Sequence, residues 1–222
     1  MATIQLFDRT LLVSETFYSI QGESSYAGYP CVFVRLAGCN LRCNFCDARY
    51  TYEETGEKRT IQQLIEFTLE YPAALIEITG GEPLLQENVY PLMNEFLKSG
   101  RTVLLETNGS MDLNKVPRSV KKIMDLKCPD SGMHAQMNLD NIDYLSHDDE
   151  IKFVISSRHD YHWAVQMISA HHLLQRTNVL FSPVITRMSP TELADLILKD
   201  RLQVRLQVQL HNLLWPDKKR GV

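Results

Sequence analysis

The 222 residues suit one domain of ordinary size, or one with a small companion, at roughly 100–200 residues per domain. Apolar residues make up 44% and charged residues 23% of the chain, and no apolar run nears the roughly 18–20 residues of a membrane span, so disorder and transmembrane insertion are excluded. With 23 basic against 27 acidic residues, a net charge of -4 leaves no electrostatic footprint for a phosphate backbone, which argues against nucleic-acid binding.

The opening MATIQLFDRT has neither the cationic and apolar regions of a secretory leader nor the arginine-rich look of a transit peptide, so the expectation is a cytoplasmic protein. Six short runs then read as buried strands: CVFVRLA from Cys31, ALIEIT from Ala73, TVLLET from Thr102, KKIMDL from Lys121, IKFVIS from Ile151 and NVLFSP from Asn178. Segments of helical period lie between several of them: IQQLIEFTLEY from Ile61, NVYPLMNEFLKSG from Asn88 and HWAVQMISAHHLLQ from His162. Thr60 with Gln63, and Ser189 with Glu192 behind Pro190, have the spacing of capping boxes. Strands alternating with helices imply a largely parallel sheet with right-handed crossovers, but the length falls short of the ~250 residues of a closed eight-unit barrel. The expected fold is therefore α/β: an open, partial β/α barrel of six or seven mainly parallel strands, helices outside, in a single domain over residues 1–222. His159, His162, His171 and His172 carry no ligand pattern and read as solvated or packing side chains, and the final DKKRGV reads as a solvated tail.

Three of the five cysteines, Cys39, Cys43 and Cys46, fall in AGCNLRCNFCDARY at C-x3-C-x2-C spacing, on the loop after the first expected strand, while Cys31 and Cys128 stand alone. Thiols in the cytosol stay reduced, so a cluster of them points to metal or redox chemistry. Structural zinc wants four ligands, and no fourth lies near in sequence; a four-iron cluster held by three thiolates keeps one iron open to an outside ligand. Downstream, TGGEPLL from Thr79 has two glycines that permit close backbone approach and a proline that can begin the next helix. Ligands of parallel α/β proteins bind at the carboxyl ends of strands, so this turn and the cysteine loop should converge. Glu106, Thr107, Asn108, Asp125, Lys127 and Ser182 follow other strands toward the same rim.

The cysteine spacing followed by GGEP resembles the radical S-adenosylmethionine superfamily. That resemblance implies a [4Fe-4S] cluster on Cys39, Cys43 and Cys46 whose open iron chelates S-adenosylmethionine, and whose electron cleaves it to a 5′-deoxyadenosyl radical. It places Phe45 near the adenine, Gly80, Gly81 and Glu82 at the amino group, and Asp47, Glu106, Asn108, Asp125, Lys127 and Ser182 around the rest of the cofactor. The block from Glu15 to Asp47 containing SIQGE and FVRLAGCNLRC, with TGGEPLLQ, ETNG, DLKCP and the ending LQVQLHNLLWP, further resembles the 7-carboxy-7-deazaguanine synthase family over nearly the whole chain.

This second resemblance implies a lyase that converts 6-carboxy-5,6,7,8-tetrahydropterin to 7-carboxy-7-deazaguanine with loss of ammonia, in queuosine and 7-deazapurine biosynthesis. Ile20, Gln21 and Gly22 would face the pterin edge, Arg35 its carboxylate and Thr79 the substrate, with Val222 at a chain end that closes over it. A flavodoxin- or ferredoxin-like electron donor and a homodimer are implied as partners. One position departs from the family, which places a threonine after the aspartate that follows the third cysteine and uses its hydroxyl for Mg2+. Here Ala48 stands there without a side-chain oxygen, so either water takes that ligand position or the ion is only weakly needed, and omitting Mg2+ is expected to reduce turnover less than in relatives with threonine. Two other readings remain at this level: another small radical enzyme such as a glycyl-radical activase, and a non-enzymatic zinc or iron–sulfur module.

Overall fold

A computed structural model describes residues 6–222; residues 1–5, part of the stretch read above for a leader, lie outside them. The strands β1 (Thr10–Ile20), β2 (Pro30–Leu36), β3 (Glu57–Thr60), β4 (Leu75–Gly80), β5 (Thr102–Thr107), β6 (Lys121–Asp125), β7 (Glu150–Ile155), β8 (Asn178–Pro183) and β9 (Arg205–Leu206) form one sheet. Its order is β3-β1-β2-β4-β5-β6-β7-β8-β9. Neighbours from β2 to β9 are parallel, whereas β1 runs antiparallel to both β2 and β3. The edges β3 and β9 do not pair with each other, so the barrel is open, as expected.

The six expected strands are β2 and β4 to β8, and the cysteine loop follows the second strand rather than the first. β1 escapes a period-2 reading because its register shifts between Val13 and Glu15. The extra residue swaps faces, sending Leu11 and Val13 toward the helices and Glu15 and Phe17 into the barrel. Strands covered on both faces need two apolar sets. The outward set, including Val34, Ile76, Ile78, Leu105, Phe153 and Phe181, joins the helices in the main core. Inside, Phe17, Cys31, Phe33 and Leu75 form a small separate cluster. Above that cluster the inward positions turn polar.

Helices α1 (Tyr50–Glu53), α2 (Ile61–Leu69), α3 (Val89–Lys98), α4 (Arg158–Ala170), α5 (Pro190–Lys199) and α6 (Leu210–Leu214) complete the fold, with short 3-10 turns between some elements. The Thr60 box forms fully: its hydroxyl accepts from Gln63 N at 3.1 Å and Gln63 Oε1 accepts from Thr60 N at 2.8 Å. At α5 half of the box forms, since Ser189 accepts from Glu192 N while the Glu192 carboxylate turns to Arg158 at 2.9 Å. Pro83 begins a 3-10 turn, Pro83–Leu85, and the helix itself starts at Val89. α4 starts earlier than expected, at Arg158, because Ser157 caps it, and it ends at Ala170; His172, at φ 52, turns the chain out of the helix before Gln175.

Two segments close the barrel. The loop after β1 leaves the sheet at the amino ends of the parallel strands and crosses to the far side, where Ser24 N donates to Gln207 Oε1 at 2.6 Å and Ser25 N to Glu150 Oε1 at 2.8 Å. Against it lies the segment after β9, with Leu210 N donating to Gly22 O at 3.0 Å. The chain end is solvated, as expected of DKKRGV, with residues 217–221 exposed, yet it is held to the surface. Arg220 pairs with Glu54 and lies 4.1 Å from the centre of the Tyr50 ring, and Gly221 N donates to Glu15 Oε2 at 3.1 Å. A guanidinium with an aromatic face and a carboxylate to meet can be held in place while it stays solvated.

Candidate active site

The cysteine loop links β2 to α1, and the glycine turn follows β4, so parallel pairing of β2 with β4 sets them side by side. Glu82 N donates to Gly38 O at 2.8 Å, and a Cβ on Gly81 would stand 2.2 Å from Gly38 O and 2.7 Å from Cys39 Cβ. Only glycine at position 81 permits that approach. The expected convergence of the two loops is present. All five cysteines are free thiols; Cys31 and Cys128 are buried, and the three motif thiols are half-buried. Burial holds the thiol pKa of Cys43 and Cys46 above the ordinary value, against the pull of the Lys127 ammonium and, at Cys46, of a hydrogen bond from the Ala48 backbone. The three sulfurs do not all lie within 4.8 Å of one another, wider than the roughly 3.8 Å edge of a tetrahedron of ~2.3 Å zinc–sulfur bonds. Three half-buried free thiols on one loop are the donor set of a multi-iron cluster that keeps one iron open.

Around this rim the other expected cofactor residues take distinct places. Asn108 Nδ2 approaches Cys39 Sγ at 3.8 Å and donates to Asn40 Oδ1 at 3.1 Å. Asp125 pairs with Lys127 at 2.7 Å, and its Oδ1 is buried with no hydrogen-bond partner among the described residues. Phe45 lies under the Arg187 guanidinium at 5.2 Å, Asp47 is exposed, and Ser182 is buried on the inward face of β8. Glu82 turns its side chain into the fold. Its side chain is 0% exposed and accepts from Leu84 N at 2.9 Å, Asn108 N at 2.7 Å and the Thr107 hydroxyl at 2.9 Å. Burial lifts its carboxyl to about 7 in spite of those donors. The carboxylate thus ties the glycine turn to the end of β5, and the turn offers a ligand its backbone.

Deeper inside, Arg35 and Thr79 are register partners on β2 and β4. Arg35 Nε meets Glu15 Oε1 at 2.8 Å, which also accepts from the Tyr50 hydroxyl at 2.8 Å; the other oxygen of Glu15 holds Gly221, so the chain end and Val222 reach the Arg35 level. The Thr79 hydroxyl donates to Glu106 at 2.9 Å. Glu106 meets Lys152, which also pairs with Glu23 at 2.7 Å and stands 3.8 Å from Asp125. Burial works against the Lys152 ammonium, but Glu106, Glu23 and Asp125 hold its pKa well above the ordinary range. Burial likewise works against the Glu23 carboxylate, yet Lys152 brings it to about 2. Ile20 ends β1 opposite Pro30, and a Cβ on Gly22 would meet His211 Nδ1 at 2.7 Å. The Gln21 amide nitrogen donates to Glu77 and its oxygen accepts from Glu23 N at 2.9 Å, which leaves one amide hydrogen over.

Glu23, Glu77 and Lys152 were not singled out from the sequence. Two of them carried a signal there, a lone charge inside an otherwise apolar strand run, LIEIT for Glu77 and IKFVI for Lys152. His159 is exposed, as expected, and pairs with Asp130 at 3.0 Å. Asp160 is close enough to join them, but its oxygens accept from Ser156 N at 3.0 Å and Asp130 N at 2.9 Å.

A family model described as the Radical SAM superfamily matches residues 34–198. The 7-carboxy-7-deazaguanine synthase of Koribacter versatilis is 42% identical, over 95% of this chain and 99% of its own length. That of Chlorobaculum tepidum is also 42% identical, over 96% of this chain and 97% of its own. The crystal structure of QueE from Escherichia coli superposes with a TM-score of 0.76 at 19% identity, covering 94% of this chain and 98% of that one, a likeness of fold. No helix among the described residues is long and apolar enough to cross a membrane.

Proposed function

The chain belongs to the radical S-adenosylmethionine superfamily and, within it, to the 7-carboxy-7-deazaguanine synthases, and from that premise we propose that it converts 6-carboxy-5,6,7,8-tetrahydropterin to 7-carboxy-7-deazaguanine with loss of ammonia, as a carbon–nitrogen lyase. The observation that carries this reading is the pressing of the glycine turn onto the cysteine loop, Gly81 against Gly38 and Cys39, at the mouth of a polar barrel interior. Cys39, Cys43 and Cys46 would hold the [4Fe-4S] cluster. Together with S-adenosylmethionine the cluster supplies a reductively generated organic radical.

The chain's own residues bind, orient and set charge. Gly80 and Gly81 present backbone to the cofactor, with Glu82 holding their turn, and Phe45, Asp47, Asn108, Asp125, Lys127 and Ser182 line the same side. Asp125 Oδ1, buried without a partner, is an acceptor awaiting a donor. Arg35 keeps its terminal nitrogens for the substrate carboxylate while Glu15 holds its Nε. Ile20, Gln21 and Gly22 form the floor, with Gln21 acting through Glu77. Ala48 has no side-chain oxygen, and its carbonyl accepts from the Thr51 hydroxyl at 2.7 Å, so the chain provides little for Mg2+ at this position. The reading also holds that the protein works in the cytoplasm, as a homodimer, with a flavodoxin- or ferredoxin-like donor.

The test is an anaerobic assay of the reconstituted protein with 6-carboxytetrahydropterin, dithionite and S-adenosylmethionine, with mass analysis of the product, run with and without chelated magnesium. Formation of 7-carboxy-7-deazaguanine with a shallow magnesium dependence is expected. Cleavage of S-adenosylmethionine without that product would overturn the reading.

A further inference from the structure

Glu77 is a buried carboxyl that the ion-pair network around Arg35, Lys127 and Lys152 leaves out, as are Glu82 at the glycine turn and Glu150 at the start of β7. Glu15 pairs with Arg35, Glu23 and Glu106 with Lys152, and Asp125 with Lys127, whereas no cation among the described residues pairs with Glu77. The residue is 3% exposed and lies on the inward face of β4, two positions below Thr79. Its hydrogen-bond donor is the Gln21 amide, which Glu23 N orients by holding the amide oxygen. Burial, then Glu106 and Glu23, push the Glu77 carboxyl well above its ordinary value, against the pull of Lys152 and Arg35. A buried carboxyl with one neutral donor and no cation is poorly served by its own fold. The partner that would satisfy it is a planar pair of N–H groups, which a carboxylate accepts side by side.

The depth of Glu77 is also telling. Two strand positions, roughly 6.6 Å at ~3.3 Å per residue, separate it from the level where Arg35 and Thr79 face each other, a span comparable with a fused two-ring heterocycle. Its register partner on β2 is Phe33, which stacks on Phe17 with ring centres 4.7 Å apart, so an apolar wall stands beside the carboxyl. Resting on the proposed reaction, we propose that Glu77 is the specificity residue of the site. Its two oxygens accept from the ring N3–H and 2-amino group of the pterin, while Arg35 and Thr79 hold the carboxylate at the other end. The remaining hydrogen of the Gln21 amide is placed to serve the neighbouring 4-oxo oxygen.

The experiment uses the cluster-loaded enzyme and two probes that it cannot turn over: 6-carboxypterin, and 6-carboxylumazine, which carries a 2-oxo group where the pterin has its amine. Fluorescence titration gives both dissociation constants. A site built to accept from an N–H rejects the analogue that lacks it, so the wild type should prefer the pterin by about tenfold or more. Glu77→Gln presents a donor to the 2-oxo group and should bring the preference to about twofold or less, with S-adenosylmethionine affinity and cluster absorption unchanged. Glu77→Asp should bind the pterin more weakly yet keep the preference, and it serves as the test if the glutamine variant does not fold. A wild type that binds both probes equally, or a Glu77→Gln protein with undiminished preference, overturns the assignment of Glu77 alone. A wild type that binds neither probe and forms no product from the tetrahydropterin overturns the reaction on which it rests.

Discussion

At the scale of single residues, the five cysteines divide by surroundings. Changing Cys43 to alanine removes one of three thiols at the rim, and should abolish both the brown cluster absorption after reconstitution and the cleavage of S-adenosylmethionine. Cys128 is buried in the main core, so Cys128→Ala should keep the cluster and cost about 1 kcal/mol of stability, read by urea denaturation. Full iron loading and turnover in the Cys43 variant would sink the ligand assignment. Glu82 makes a pH-dependent prediction. Its carboxyl stands at about 7 in the fold against 4.5 ordinarily, so the native state binds the proton more tightly. Its contribution is therefore full below about pH 4.5 and lost as pH rises through about 7. From about pH 5 to about pH 7 the cofactor-free protein should lose about 2 kcal/mol from this group, and Glu82→Gln should lack that component of the slope. Parallel slopes in the two proteins would contradict it.

At the scale of elements, local signals decided most of what was read correctly. Thr60 and Gln63 satisfy two backbone N–H groups at the start of α2, so Thr60→Ala should cost about 1 kcal/mol in chemical denaturation with turnover unaffected. A change in turnover would mean that α2 does more than cover the sheet. Runs such as CVFVRLA and NVLFSP were legible because parallel strands are buried on both faces and read as nearly continuous apolar stretches. β1 was not, since its bulge puts Glu15 in phase with Phe17 and out of phase with Val13. β9 has two residues and carries too little pattern to read.

At the scale of the whole molecule, Lys152 joins segments distant in sequence. Its ammonium meets Glu23 from the floor loop, Glu106 from β5 and Asp125 from β6, and Glu23 in turn accepts from Gln209 of the closing segment at 2.8 Å. Lys152→Met leaves these carboxylates without their shared cation, and removing one partner of a buried ionic group costs roughly 3–5 kcal/mol. A urea midpoint within error of the wild type would show that the floor is held by its backbone bonds alone.

The sequence by itself determined what depends on near neighbours: the cysteine spacing, the close backbone approach at Gly81, the helix caps and the six central strands, each encoded within a few residues. Those signals were enough to point to the rim chemistry and the family. Only the tertiary structure decided the interior of the barrel. Whether Gln21 faces a ligand or Glu77, whether Glu82 points out or in, and which carboxylates lack a cation depend on side chains brought together from across the sheet. A charge within a strand has a different meaning according to what stands opposite it, because in a low-dielectric interior the partner sets both its cost and its protonation.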